Sequence, residues 1–186
     1  NVAGTGGDAS CTSGLLQASP VVMLDGFDAN SNNSDDVVIV ATRCGASNNK
    51  ILMYSHDLAT LRDTYTGGGS MGISNGSPAI QYRDSANNLV YVGLRDDGGE
   101  SIVVLEVNST PAFNSPEYAV ISGIGDIDAS LAIAKKGTDR ILVAGNTDGD
   151  VYAYNALVAQ SGSLLALDSC TVAGGCADSD GAVRGV

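Results

Sequence analysis

The chain has 186 residues, 44% of them hydrophobic, and 21 acidic against 9 basic side chains give a formal net charge of −12. That length fits one domain with a sizeable core, and the charge argues against nucleic acid and anionic membranes as partners, because phosphate binding needs clustered Lys and Arg. Cations fit better. No stretch reaches the roughly 18 to 20 apolar residues that span a bilayer, so this chain is not expected to insert into a membrane. Asn1 in first position, with few Lys and abundant Gly, Ser, Asn and Asp, reads as a processed, secreted β-protein whose loops are built from turn residues.

In chain order, residues 1–18 carry Cys11 and the stretch SGLLQA at Ser13–Ala18, which reads as an N-terminal strand added to another sheet. Four short apolar segments follow: SPVV from Ser19, VVIVATR from Val37, ILMY from Ile51, and Thr64–Thr66. The same order returns as SPAI from Ser77, LVYVGLR from Leu89, IVVL from Ile102 and Tyr118–Ile121. It returns again as SLAI from Ser130, ILVAGNT from Ile141, VYAY from Val151 and Leu164–Leu167. The segments at Val37, Leu89 and Ile141 start 52 residues apart each time.

Short runs rich in Val, Ile, Leu and Tyr between Gly, Asn, Asp and Ser clusters are strand and turn chemistry. No window keeps a helical apolar period between caps. The fold class expected is all-β: a propeller-like array of three four-stranded antiparallel blades repeating about every 52 residues. The units run 19–76, 77–128 and 129–175, with a tail at 176–186, in a single domain 1–186. Ring propellers carry about 4 to 8 blades, so three imply an incomplete ring, a larger propeller, or completion by another chain. A threefold β-prism of the lectin kind is the structural alternative.

Within the third unit, NTDGDVYAYNALVAQSG resembles the quinoprotein-like propeller repeat, most clearly over Asn146–Ala156. Units one and two, with CGASNNKILMYSHD and DDGGESIVVLEV, share the strand order without that signature. The chain has no Trp and no visible set of quinone-site aromatics, so the resemblance implies a fold rather than a redox enzyme.

The first unit alone carries an insert, DGFDANSNNSDD at Asp25–Asp36. Asp28, Asn30, Asn32, Asn33 and Asp36 fall at relative positions 1, 3, 5, 6 and 9. Oxygen-bearing residues at such spacing wrap around one hard cation. The pattern is similar to the calcium loop of FG-GAP propellers, as in integrin heads, and to that in the propeller of type IV pilus tip adhesins. Carried over, the resemblance implies Ca2+ held by side-chain oxygens of Asp28, Asn30, Asn32 and Asp36 and by the Ser34 carbonyl. Asn32 stands where the family has an acid and Asn33 where it has Gly. The alternative is an Asx-rich hairpin loop satisfying its own backbone.

In an oxidising compartment the four cysteines pair in one of three ways. The reading favours Cys170 with Cys176, closing TVAGG, and Cys11 with Cys44, tying the N-terminal strand to the first unit. Their spacing is no zinc signature.

Gly68–Gly72 spells G-x-S-x-G but lacks the strand–turn–helix context of a nucleophile elbow, and the sole histidine, His56, precedes it. The acid pairs Asp35/Asp36, Asp96/Asp97, Asp126/Asp128 and Asp178/Asp180 read as solvated turns, as does NTDGD. Tyr82, Tyr91, Tyr152 and Tyr154 read as packing between blades, or as a sugar platform where exposed. Asn32-Asn33-Ser34 and Asn108-Ser109-Thr110 fit glycosylation acceptors.

The function expected is a secreted, non-catalytic cell-surface module for adhesion or assembly, decorating an extracellular filament or pilus and associating with a protein partner or with itself. The alternatives are a fragment of a propeller enzyme, quinoprotein or carbohydrate-active, or a sugar-binding lectin.

Overall fold

Apolar residues at nearly every position of a segment such as VVIVA leave no wet face, so the strands they form must be covered on both sides. The computed structural model describes residues 18–24, 36–43, 49–67, 71–83, 87–95, 99–114, 117–136, 138–160 and 163–170. Among them there are twelve strands and no α-helix.

The strands form three four-stranded antiparallel sheets, each paired in sequence order. Sheet 1 holds β1 (Val21–Met23), β2 (Val37–Ala41), β3 (Ile51–Ser55) and β4 (Leu61–Tyr65). Sheet 2 holds β5 (Ala79–Gln81), β6 (Asn88–Gly93), β7 (Glu100–Val107) and β8 (Ala119–Ser122). Sheet 3 holds β9 (Ala132–Lys136), β10 (Asp139–Gly145), β11 (Val151–Gln160) and β12 (Ser163–Cys170). The first strands of successive sheets neighbour one another, β1 beside β5 and β5 beside β9. The expected all-β class and the four-strand unit are therefore present.

Each first strand begins two residues after the serine that marks it in sequence, at Val21, Ala79 and Ala132. Pro20 and Pro78 lack the N–H that a ladder needs. The last strands differ most from the sequence reading. β4 runs Leu61–Tyr65 rather than Thr64–Thr66, with a register shift opposite Met53 and Tyr54. β12 spans Ser163–Cys170 and shifts register twice against β11.

Alternation sorts each sheet into two faces, and the faces pair between sheets. One cluster joins Val37, Ile39, Ile51 and Met53 of sheet 1 to Val90, Val92, Val103 and Leu105 of sheet 2. A second joins Leu89, Tyr91, Ile102 and Val104 of sheet 2 to Leu142, Ala144, Tyr154 and Ala156 of sheet 3. The same repeat positions thus point to the following sheet each time. Burying one such aliphatic side chain is worth about 1.5–3 kcal/mol.

The connection from sheet 2 to sheet 3 presses against sheet 2, where a Cβ on Gly93 would lie 2.4 Å from Ile127 Cγ2. Gly145 occupies the equivalent repeat position in sheet 3, and its Cβ would meet only Asp150 O at 3.8 Å. Gly93→Ala is expected to destabilise the fold by about 1–3 kcal/mol through overpacking. Gly145→Ala should be neutral or stabilising by up to about 1 kcal/mol, because it restricts the unfolded chain without a clash. Urea unfolding midpoints of the two variants test the contrast.

Candidate functional site

The seam between sheets begins at the first strands. Ser19 N–H donates to Ser77 Oγ (3.1 Å), and Ser77 N–H donates to Ser130 Oγ (3.0 Å). Ser77 thus accepts from the unit before and donates to the unit after. A little further along, Leu24 N–H donates to the Tyr82 hydroxyl (3.0 Å). The serines are visible in the sequence as the heads of SPVV, SPAI and SLAI, but their mutual bonding appears only once the sheets are stacked.

Deeper in the seam, tyrosines tie sheet to sheet. The buried Tyr91 hydroxyl lies 2.6 Å from the Gln81 side-chain amide and 2.6 Å from the Ala156 carbonyl oxygen. Tyr118 donates to the Leu157 carbonyl (3.0 Å), and Tyr65 of β4 donates to Glu117. Asp63 accepts from Phe113 N–H (2.7 Å), joining the outer edge of sheet 1 to sheet 2. Tyr91 and Tyr154 are buried between sheets 2 and 3, whereas Tyr82 keeps 48% of its surface exposed.

The connections carry a charged cluster. Arg95 Nη1 pairs with Asp128 (2.9 Å), its Nε lies 3.8 Å from Asp126, and Asn75 donates to the other oxygen of Asp128 (2.7 Å). These groups are more than a third exposed, so the pairing contributes little stability, but it balances both acids. NTDGD forms a tight turn, with Gly149 N–H donating to Asn146 O (3.2 Å) and Asn146 N–H to Asp150 O (3.0 Å). Asn146 Nδ2 also donates to Ile124 O (2.8 Å), and Thr147 N–H to Asp126 O (2.9 Å), which docks the turn on the preceding connection.

Of the five candidate calcium ligands, Asp28, Asn30, Asn32 and Ser34 lie outside the described residues. Asp36 precedes β2 and is buried, with 5% of its surface exposed. Among the described residues no group of three or more His, Cys, Asp or Glu could hold a metal ion. Cys11, Cys44 and Cys176 also lie outside the described residues; Cys170 ends β12. His56 is exposed in the turn after β3.

The two ends of the stack differ from its middle. Val37, Ile39, Ile51 and Met53 in sheet 1 and Leu89, Tyr91, Ile102 and Val104 in sheet 2 are fully buried. The equivalent Ile141, Val143 and Val151 of sheet 3 are only half-buried. At the other end, Val38, Val40, Leu52 and Tyr54 form a buried cluster that, among the described residues, none of sheets 2 or 3 joins. Beside it Val22 and Leu24 are 49% and 55% exposed. Ile80 and Ile133, equivalent to Val22, pack into the clusters between sheets.

No protein-family model, curated protein or solved structure matches this chain.

Burial holds the Tyr91 hydroxyl well above the 10.0 of a free phenol, and burial raises Tyr54 and Tyr154 in the same direction. The fold favours the protonated form, so this stability is complete below the unfolded value and is lost as pH rises through the folded one. Stability is expected to fall above about pH 10. Tyr91→Phe should cost about 1–3 kcal/mol near neutral pH, because it strands the Ala156 carbonyl and the Gln81 amide. The gap between variant and wild type should narrow in alkali. Urea midpoints at both pH values test this.

Proposed function

We propose that this chain is a secreted, non-catalytic propeller-type module that serves adhesion or assembly at a cell surface or on an extracellular filament. The observation that carries this reading is the end face of sheet 3, where Ile141, Val143 and Val151 are only half-buried at positions that both sibling sheets bury fully. A blade whose apolar face lacks its neighbour is an association surface. The structural roles of four described acids support it further. Asp63 accepts a backbone N–H across the seam, Asp126 and Asp128 face Arg95, and Asp150 belongs to the docked turn.

On this reading Asp28, Asn30, Asn32, Asp36 and the Ser34 carbonyl hold one Ca2+. Two formal charges among the ligands give a weak site, about 10⁻⁴ to 10⁻³ M, which fills outside a cell and stays empty inside it. The paired cysteines suit the same compartment.

Purified chain, fluorescently labelled, is expected to bind intact cells or filaments of its source in millimolar calcium and to be released by chelator. The melting temperature should rise with calcium over the same range, and Asp28→Asn should abolish that rise. Binding to neither cells nor filaments would remove the surface reading. A melting temperature indifferent to calcium would remove the ion.

A further inference from the structure

The serine rungs have a direction and two open ends. Each N–H points from one sheet to the hydroxyl of the next: Ser19 to Ser77, then Ser77 to Ser130. Among the described residues, Ser130 N–H reaches no acceptor and no N–H reaches Ser19 Oγ. The chain thus presents a donor at the sheet 3 end and the matching acceptor at the sheet 1 end.

Apolar surface flanks both open groups. Beside Ser130 lie Ala132, exposed, and its register partner Val143, half-buried, on the face that sheets 1 and 2 use to cover their successors. Beside Ser19 lie Val22 and Leu24, 49% and 55% exposed, on the face that sheets 2 and 3 present to their predecessors. Ile80 and Ile133 show what Val22 does when a preceding sheet is present, since both are packed against one.

We infer that the sheet 3 end of one molecule docks on the sheet 1 end of a second copy of this chain, with Ser130 N–H donating to Ser19 Oγ of the neighbour and Val22 and Leu24 covering Ala132 and Val143. The inference deepens the assembly reading above and rests on it. The contact is head-to-tail, so repetition either closes a ring or grows a filament. Two copies bring six four-stranded sheets, within the roughly 4 to 8 blades of closed propellers.

Ser19→Ala removes the acceptor but keeps the Ser19 N–H that bonds to Ser77, so the internal seam survives. Val22→Glu and Ala132→Glu each place a charge on one end only, at exposed positions where the fold tolerates it; circular dichroism melts confirm folding. By analytical ultracentrifugation, the wild type is expected to show a mass that grows with concentration. Ser19→Ala should weaken this about five-fold, the worth of one neutral hydrogen bond, and each Glu variant alone should be monomeric. An equimolar mixture of the two Glu variants should form a dimer and nothing larger, since one intact end remains on each. A wild type that is monomeric at every concentration overturns the inference, as does self-association untouched by the Glu variants or a mixture that stays monomeric. A monomer that still binds cells leaves the adhesion reading standing; a head-to-tail polymer that ignores cells and filaments does the reverse.

Discussion

Two-sided burial is the constraint on which the rest of this structure depends. A strand whose successive residues are all apolar aims half of them at each face, so a sheet built from VVIVA, NLVYVG and SIVVLEV has no face to offer water. Helices that would cover such sheets are absent among the described residues. Each sheet therefore covers the next. The repeat makes this possible, because a face that fits its successor once fits it again, and Leu89, Tyr91 and Ile102 do in sheet 2 what Val37, Ile39 and Ile51 do in sheet 1.

Apolar faces alone would let the sheets slide. The seam fixes their relation by bonds that have one correct geometry: the serine rungs near the first strands, the Tyr91 and Tyr118 hydroxyls to backbone carbonyls, and Asp63 to the Phe113 amide. A displaced sheet would leave the Tyr91 hydroxyl and the Ala156 carbonyl buried without partners, a loss of about 1–3 kcal/mol, and would break the more exposed bonds at smaller cost. Close approach tightens the fit further. A Cβ on Gly76 would stand 2.1 Å from the Ala129 carbonyl oxygen, so two connections touch backbone to backbone beside the serine rung. The polar seam sets alignment, and the apolar faces supply the driving force.

How much of this was legible in the sequence differs by element. The second and third strands of every unit were plain, because their apolar runs are continuous and the turn residues around them are unambiguous. The fourth strands were not: LRDTY of β4 carries two charges at a half-exposed sheet edge, and its true start at Leu61 has no apolar alternation to announce it. The NTDGD turn was legible from Gly149 and its flanking Asx residues. The seam was not, since a hydrogen bond between Ser19 and Ser77 joins residues 58 apart and depends on stacking that no local pattern encodes. Arg95 shows the same limit, reaching Asp128 across 33 residues. The calcium pattern rests on the sequence alone; of its candidate ligands only Asp36 lies among the described residues, buried just before β2.

A stack in which every sheet offers one face forward and another back is polar in the sense that an arrow is polar. Its ends cannot be alike, and each is shaped like the interior surface that its own siblings satisfy. That is why the end of sheet 3 keeps a donor and half-buried aliphatics while the end of sheet 1 keeps an acceptor and exposed ones. The two ends are nevertheless unequal. On sheet 1 the positions of the second and third strands, Val38, Val40, Leu52 and Tyr54, are already buried, and among the described residues the exposed large apolar side chains of this face are Val22 and Leu24 on the first strand and just after it. A contact made through Val22 and Leu24 is narrower than the contacts between sheets 1, 2 and 3, and it includes one serine rung without the tyrosine bonds that lie deeper in the seam. Association there is weaker than cohesion within the chain, so molecules joined this way would come apart as folded units before their own sheets separate.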